Sequence, residues 1–368
     1  MSTALNVIRY SLLLLGLVGI YAVWISSFQN GLFLLNEEFA GKGQLPGTPN
    51  ATLRTHFTGI DTLDKPLGIF VVFYWPVCQG NLHSLSLVAF PAAVGLGVMW
   101  ILFALQFSRS NSPTRAIGKM AMFGMGLMLV GPGIFLPVYC SLDLFSTRRR
   151  DHLSSSAAEG HLCRNLRSCL LGGYYILVIL LALPAPAVVS YDFKQGIIAL
   201  IQVWPLLVSA MLWLTHLCGK DQIVNLQTTV SAARTSIYIS AMACATISHL
   251  VPLFISVLAG SSEISSRMVF VPHLAWSSGR VGSVEEGLLR FFQWDYGLGS
   301  LALLLWAVGL HILRRKQISQ GINYLKLMSE ALFLSVIMSP CGAAALYLHR
   351  HDSANIASRT GDKPGFSE

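Results

Sequence analysis

The chain has 368 residues, of which 54% are hydrophobic and only 11% are charged. Soluble domains carry about 25% charged residues, so this composition excludes an ordinary water-facing surface. The net charge of +8 is typical of loops beside a membrane. No basic patch interleaved with aromatic residues accompanies it, so we expect no nucleic-acid partner.

Long apolar runs predict an all-α, polytopic membrane protein with about eight or nine transmembrane helices, because each crossing needs roughly 20 apolar residues and satisfies its own backbone hydrogen bonds. The runs lie at 8–27, 66–80, 84–107, 117–142, 169–190, 196–217, 235–260, 297–313 and 327–348. The second run is short and contains Pro66, Pro76 and Gly80, so we expect it to be broken or re-entrant. Residues 1–350 are expected to form one transmembrane domain, followed by a polar, disordered tail at 351–368.

Arginine clusters set the expected orientation. Thr-Arg-Arg-Arg-Asp in the 146–168 loop and Arg-Arg-Lys in the 314–326 loop favour the cytosolic side. The 28–63 and 261–295 loops then lie on the lumenal side. Asn50 begins an Asn-Ala-Thr glycosylation sequence in the first of them. The sequence therefore predicts a membrane glycoprotein, and we expect it in the endoplasmic reticulum.

Acidic residues are scarce, 17 in all, and an ionisable group at membrane depth indicates a functional site by default. The expected topology gathers several at the lumenal mouth: Asp61, Asp64, Asp192, Glu263 and Asp295. The alternative for each one is a solvated or helix-capping carboxylate. Asp295, expected at the start of the eighth helix, would suit a cap.

Aromatic and polar side chains concentrate between His56 and Ser86. The polar tips there belong to Tyr74, Trp75, Gln79, Asn81 and His83. An apolar segment with a few directed polar groups predicts a pocket for an apolar ligand, and the alternative is an aromatic belt at the membrane interface.

A second stretch, Trp294-Asp295-Tyr296, combines an acid with two aromatic rings. A carboxylic acid in apolar surroundings can stay protonated at neutral pH and donate its proton. The aromatic faces can then stabilise a carbocation by cation–π attraction. The lone His249 is interpreted differently, as a hydrogen-bonded packing residue.

Motifs for nucleotide, zinc-protease and serine-hydrolase chemistry are absent from the sequence. The seven cysteines show no metal-binding spacing, so we predict no metal, no cofactor and no disulfide. Asp61-x-x-Asp64 is not followed by the further acids of a magnesium–diphosphate site.

Three stretches near the N-terminal end carry a family resemblance: Phe57-Thr-Gly-Ile-Asp61-Thr-Leu-Asp64, Val72-Phe-Tyr-Trp-Pro-Val77 and Asn81-Leu-His-Ser-Leu-Ser-Leu87. Together with Phe292-Gln-Trp-Asp-Tyr-Gly-Leu-Gly and the helix through Trp306, they resemble the fungal membrane-bound terpene cyclases of meroterpenoid biosynthesis, of the ascofuranone and macrophorin type. The chain departs from that pattern at Cys78-Gln79, where an acid is usual just before the glycine.

The resemblance implies class II-type cyclisation of a prenylated aromatic or cyclohexenone intermediate, with or without a terminal epoxide. No diphosphate leaves, so no metal is needed. Asp64 or Asp295 would be the general acid, with Asp61 or Asp192 as its partner. The aromatic residues and their neighbours would bind the apolar prenylated substrate: Tyr74, Trp75, Asn81, His83, Trp294 and Tyr296.

The same resemblance implies that a prenyltransferase and an epoxidase of one pathway act before this enzyme, and that the lipid bilayer holds the substrate. Two other functions remain open from the sequence. A transporter is disfavoured because no internal repeat is visible. A receptor or scaffold is disfavoured because about nine predicted spans exceed seven.

Overall fold

The computed structural model describes residues 3–110, 112–146, 157–218, 226–259, 264–276, 279–317 and 323–360. Within these residues, the only strands form one short antiparallel hairpin, and the remaining elements are helices. The elements of the first half are α1 (Thr3–Gly19), which continues through a π-helical segment (Ile20–Ile25) into α2 (Ser26–Gln29), then α3 (Leu32–Gly41), β1 (Gln44–Leu45), β2 (Thr48–Thr52), α4 (Asp61–Gln79), α5 (His83–Phe107), α6 (Pro113–Val130) and α7 (Pro132–Ser146).

The second half of the described chain is also helical. Its elements are α8 (Ala157–Leu170), which continues through a π-helical segment (Leu171–Tyr175) into α9 (Ile176–Ala182), then α10 (Tyr191–Ile201), α11 (Trp204–Cys218), α12 (Leu226–Leu258), α13 (Ser266–Phe270), α14 (Val284–Gln317) and α15 (Tyr324–Thr360).

Six helices in the described part of the chain are long and apolar enough to cross a bilayer, or seven if α10 and α11, bent by 71°, make one broken span. The polytopic helical fold is therefore confirmed, but the count of eight or nine is not. The predicted run 117–142 is divided at Gly131 into α6 and α7. The predicted run 66–80 falls in α4, whose first turn is polar and which is not one of the six.

The centre of the bundle is formed by α5 and α14. In each, 67% of the apolar stretch is buried, against 28% in α12. The long helix α14 packs against α1, α5, α7 and α15. Side chains that project from α14 therefore reach the interior, where water is excluded.

Three sequence expectations need correction here. Residues 61–79 form one continuous helix across Pro66 and Pro76, so this segment is not broken. Helix α14 begins at Val284 rather than near 297, because buried Leu288 and Leu289 extend its apolar face. Asp295 therefore lies three turns inside the helix instead of at its start.

Helix α15 continues to Thr360, into the region where a tail was expected, and residues 361–368 lie outside the described residues. The domain limits stay a prediction. Near this end, Arg234 of α12 is buried and forms ion pairs of 2.6 Å with both Glu159 and Asp352. Asp352 also binds Arg109 and accepts a 2.7 Å hydrogen bond from the Tyr238 hydroxyl. These charges join α5, α8, α12 and α15.

Candidate active site

The break between α6 and α7 creates an unusual helix start inside the protein. Gly131 lies there at φ 90° and ψ 140°, close to a backbone region that essentially only glycine occupies. The first amides of α7 have no partner within their own helix and need an external acceptor. The Gly133 amide donates to Oδ1 of Asp295 at 2.8 Å. Asp295 is thus a cap after all, but for α7 and not for its own helix.

Glycines let α14 approach this break closely. A Cβ at Gly131 would lie 2.7 Å from Oδ1 of Asp295, and one at Gly133 would lie 2.9 Å from its Cα. One turn further along α14, a Cβ at Gly299 would lie 2.9 Å from the Cβ of Pro132. The Asp295 carboxyl group is therefore held in a tight backbone frame.

Asp295 is only 5% exposed. Among the described residues, the Gly133 amide is the one donor that reaches it, and Oδ2 accepts no hydrogen bond. A carboxyl group with few donors and little water is poorly stabilised as an anion and well suited to the neutral, proton-donating form.

Tyr74 of α4 is the neighbour of Asp295 across an internal space. Tyr74, Cys78 and Tyr296 are surrounded by protein, yet each keeps some accessible surface. From this surface we infer a cavity between α4 and α14. Tyr74 lies within electrostatic reach of both Asp295 and Cys78. The acid therefore lies near the inferred cavity.

Aromatic rings form a wall beside it. The rings of Tyr74 and Phe292 have centroids 6.2 Å apart, and those of Phe73 and Phe291 lie 5.2 Å apart. Aromatic faces attract positive charge most strongly where water is excluded. The arrangement is suited to stabilising a cation that forms near Asp295.

Tyr296 of α14 lies against α5 and α15. Gly95 of α5 leaves room for its ring, since a Cβ there would lie 2.5 Å from Cε2 of Tyr296. The tyrosine hydroxyl is buried beside Cys341 and Ser339, without a well-formed hydrogen bond. Ser339 is the one non-glycine residue with positive φ, at 66°, in the described ranges, and it marks the break in α15.

Two tyrosines that sequence reasoning missed come from the π-helical segment after α8. The hydroxyl of Tyr174 donates to the carbonyl of Ala93 at 2.7 Å, and that of Tyr175 donates to Val94 at 3.2 Å. Tyr174 also lies within electrostatic reach of Tyr74. In the sequence, the available signal was Gly-Gly-Tyr-Tyr, a polar-tipped pair inside an apolar run. In the structure, this segment is π-helical, and π-helical turns are frequent at functional sites.

Asp64 has a different environment. Its Oδ1 accepts hydrogen bonds from the amide and hydroxyl of Thr58, both at 2.8 Å, and its Oδ2 accepts one from the Gly59 amide at 3.1 Å. Burial alone would raise the pKa of Asp64, but these hydrogen bonds together with the Phe57 amide hold the pKa below its usual value. An ionised carboxylate that organises the 57–60 loop is poorly suited to donating a proton.

The remaining predicted site residues do not meet Asp295. Four of them are exposed: Asp61, Asn81, His83 and Asp192. Trp75 is fully buried, but its indole donates to Thr48 of the hairpin at 2.9 Å. The Trp294 indole donates to the His273 carbonyl at 2.8 Å. Glu263 lies outside the described residues. Of the predicted set, the structure thus brings Tyr74 near Asp295, while the ring of Tyr296 packs against α5 and α15.

His249 has the packing role expected of it. Its Nε2 lies 3.1 Å from the carbonyl oxygen of Val336. That carbonyl is the one that Pro340, four residues later and without an N–H, leaves unbonded in α15. Within the described part of the chain, no group of three His, Cys, Asp or Glu residues is arranged to hold a metal ion.

The buried acid and the neighbouring aromatic rings are suited to acid and carbocation chemistry. Comparison with known proteins identifies the family. A family model described as the CtvD domain matches residues 8–354. Terpene cyclase verU1 of Penicillium polonicum is 85% identical over 99% of this chain and 100% of that protein. Terpene cyclase sdgD of Emericella nidulans is 30% identical over 98% and 97%. Terpene cyclase ascI of Acremonium egyptiacum is 27% identical over 96% and 94%.

The chain belongs to the CtvD family of fungal terpene cyclases and is itself an enzyme of that class. The family resemblance noted in the sequence is confirmed, and neither a transporter nor a receptor is favoured. No solved structure matches the chain, so the arrangement of the site rests on the geometry described above.

Proposed function

We propose that this terpene cyclase is an integral membrane enzyme that starts cyclisation by donating a proton from Asp295, without a metal ion, to a prenylated aromatic or cyclohexenone substrate. The observation that carries this proposal is the position of the Asp295 carboxyl group. It is 5% exposed, held at 2.8 Å by the Gly133 amide, and lies within electrostatic reach of Tyr74, whose ring packs against Phe292.

The reaction is an isomerisation in which every atom is accounted for. The proton of Asp295 adds to the far alkene of a farnesyl chain or to the oxygen of its terminal epoxide. The resulting cation closes rings as each neighbouring alkene attacks it, and loss of one proton ends the sequence. Asp295, left as a carboxylate, regains a proton before the next turnover. The step needs no redox partner and no leaving diphosphate.

The surroundings favour Asp295 over Asp64 as the acid. Three hydrogen bonds within the described loop stabilise the Asp64 anion, whereas one amide reaches Asp295. The proposed partner of the acid is this amide of α7, in place of Asp61 or Asp192. Tyr74 and Tyr296 are proposed to line the path of the cation, with the Phe292 ring behind Tyr74.

Six or seven apolar helices in the described residues support membrane insertion, and an apolar prenylated substrate would partition into the same bilayer. The endoplasmic reticulum is proposed as the location. Asn50, exposed on β2, is proposed as the glycosylated residue. A prenyltransferase must attach the prenyl chain first, and an epoxidase must act before the cyclase if the epoxide is the substrate.

The test is product formation in microsomes that contain the protein. A farnesylated phenol and its terminal epoxide are supplied, and products are followed by mass spectrometry. We expect a cyclised isomer from the wild type. Asp295→Asn should lower the rate at least 100-fold, since general acid catalysis contributes about 10²–10⁴-fold, at unchanged protein abundance.

Asp192→Asn is the matched control, because Asp192 is exposed in the first turn of α10 and should retain activity. Asp64→Asn discriminates between the two acids. We expect this variant to keep most of the wild-type cyclisation rate when the rate is normalised to folded protein. Full activity of Asp295→Asn would contradict the proposed acid. Absence of any cyclised product, together with solute-dependent flux in vesicles, would contradict the reaction itself.

A further inference from the structure

Lys194 of α10 is a buried cation that the proposed chemistry does not yet use. The residue is 1% exposed. Its ammonium group donates to the carbonyl of Cys78 at 2.6 Å. Among the described residues, no carboxylate lies within ion-pair distance of it. An ammonium group carries three N–H donors, so two of them lack an acceptor within the described protein.

Burying the Lys194 ammonium group with two unpaired donors is energetically unfavourable. A buried charge without a counter-ion or a full set of hydrogen bonds is unfavourable, because it loses hydration that the protein does not replace. The chain pairs another of its buried cations, Arg234, with two carboxylates, Glu159 and Asp352. Capping the last turn of α4 accounts for one of the three donors of Lys194. The other two indicate an acceptor supplied from outside the protein.

The position of Lys194 relates it to the active site. Its ammonium group lies within electrostatic reach of the Cys78 thiol. Cys78 is partly exposed and lies one turn along α4 from Tyr74. Tyr74 in turn lies beside Asp295. Lys194 and Asp295 therefore lie at the two ends of the row formed by Cys78 and Tyr74.

We propose that Lys194 binds the oxygenated head of the substrate, a phenolate, enolate or carbonyl oxygen, and so directs the far end of the prenyl chain to Asp295. This inference rests on the proposed function, because it names how the same cavity holds its substrate. The oxygenated head of the substrate binds at the Lys194 ammonium group, and the prenyl chain lies along the aromatic rings. The acid then meets the terminal alkene or epoxide.

The test measures binding and does not depend on turnover. Purified protein in nanodiscs is titrated with a farnesylated phenol and with its methyl ether, which lacks the acidic hydroxyl, and Kd is followed by tryptophan fluorescence. For the wild type, we expect the ether to bind about 10- to 100-fold more weakly, the range for a charge-assisted hydrogen bond. Lys194→Met should weaken binding of the phenol by a similar factor. It should bind the phenol and the ether equally.

Lys42→Met is the control, because Lys42 is exposed and pairs with Glu38 on the surface; it should discriminate like the wild type. If Lys194 only caps α4, Lys194→Met would still distinguish phenol from ether, and that result overturns the inference. If Lys194→Met does not fold, equal binding of phenol and ether by the wild type overturns it as well. Binding with discrimination but without turnover would refute the cyclisation and leave the Lys194 contact standing.

Discussion

Gly131→Ala should displace the carboxyl group of Asp295 while leaving Asp295 itself unchanged. The backbone strain of a side chain at φ 90° and ψ 140° costs about 1–3 kcal/mol. The new Cβ would also lie 2.7 Å from Oδ1 of Asp295, the atom that accepts the Gly133 hydrogen bond. Losing that bond costs about 1–3 kcal/mol. We therefore expect a loss of about 2–6 kcal/mol of stability, the sum of the two ranges.

Activity should fall further than stability alone explains, because a displacement of about 1 Å at a reacting group can cost about 10²-fold. The assay combines thermal unfolding in detergent with cyclisation rates normalised to folded protein. Gly118→Ala is the matched control, since a Cβ at Gly118 meets nothing within 4 Å, and alanine stabilises a helix interior by about 0.8–1 kcal/mol. If Gly131→Ala melts and turns over like the wild type, the proposed frame around Asp295 is wrong.

Two further predictions concern charges away from the acid. Arg234→Met leaves Glu159 and Asp352 without their shared partner and should cost about 3–5 kcal/mol; an unchanged melting temperature would contradict this. Hydrogen bonds hold the pKa of Asp64 below its usual value, so its stabilising contribution is complete at neutral pH and is lost as the pH falls below about 4. The stability difference between wild type and Asp64→Asn should therefore shrink between pH 7 and pH 3, and a constant difference would refute that role.

The sequence anticipated part of the candidate site because chemistry-bearing residue types stand out in an apolar chain. Asp295, Tyr296 and Tyr74 are predicted on that ground, and the structure places Tyr74 near Asp295. Asp61 and Asp192 were selected equally well, yet both are exposed helix-start residues. Residue type alone does not distinguish these cases, because the direction of a side chain depends on where its helix begins.

Lys194 and the glycines of the α6–α7 break show a second limit. Their roles depend on contacts across more than a hundred residues, such as Lys194 to Cys78 and Gly133 to Asp295. The break at Gly131 itself was missed because 117–142 is apolar throughout its middle, and hydropathy carries no information on φ. Glycine in such a run is equally consistent with close helix packing and with a break.

What the sequence by itself determined is the polytopic helical class and, through a few short stretches, the terpene cyclase family. Composition suffices for the class because apolar helices of about 20 residues satisfy their own hydrogen bonds. Only the tertiary structure decided which carboxylate could act as the acid. Asp64 gains three donors from the described loop beside it, which stabilise its anion, whereas Asp295 is buried where α14 packs against α7 and receives one amide within the described residues. That difference in solvation and hydrogen bonding arises from packing between distant helices, which local sequence does not encode.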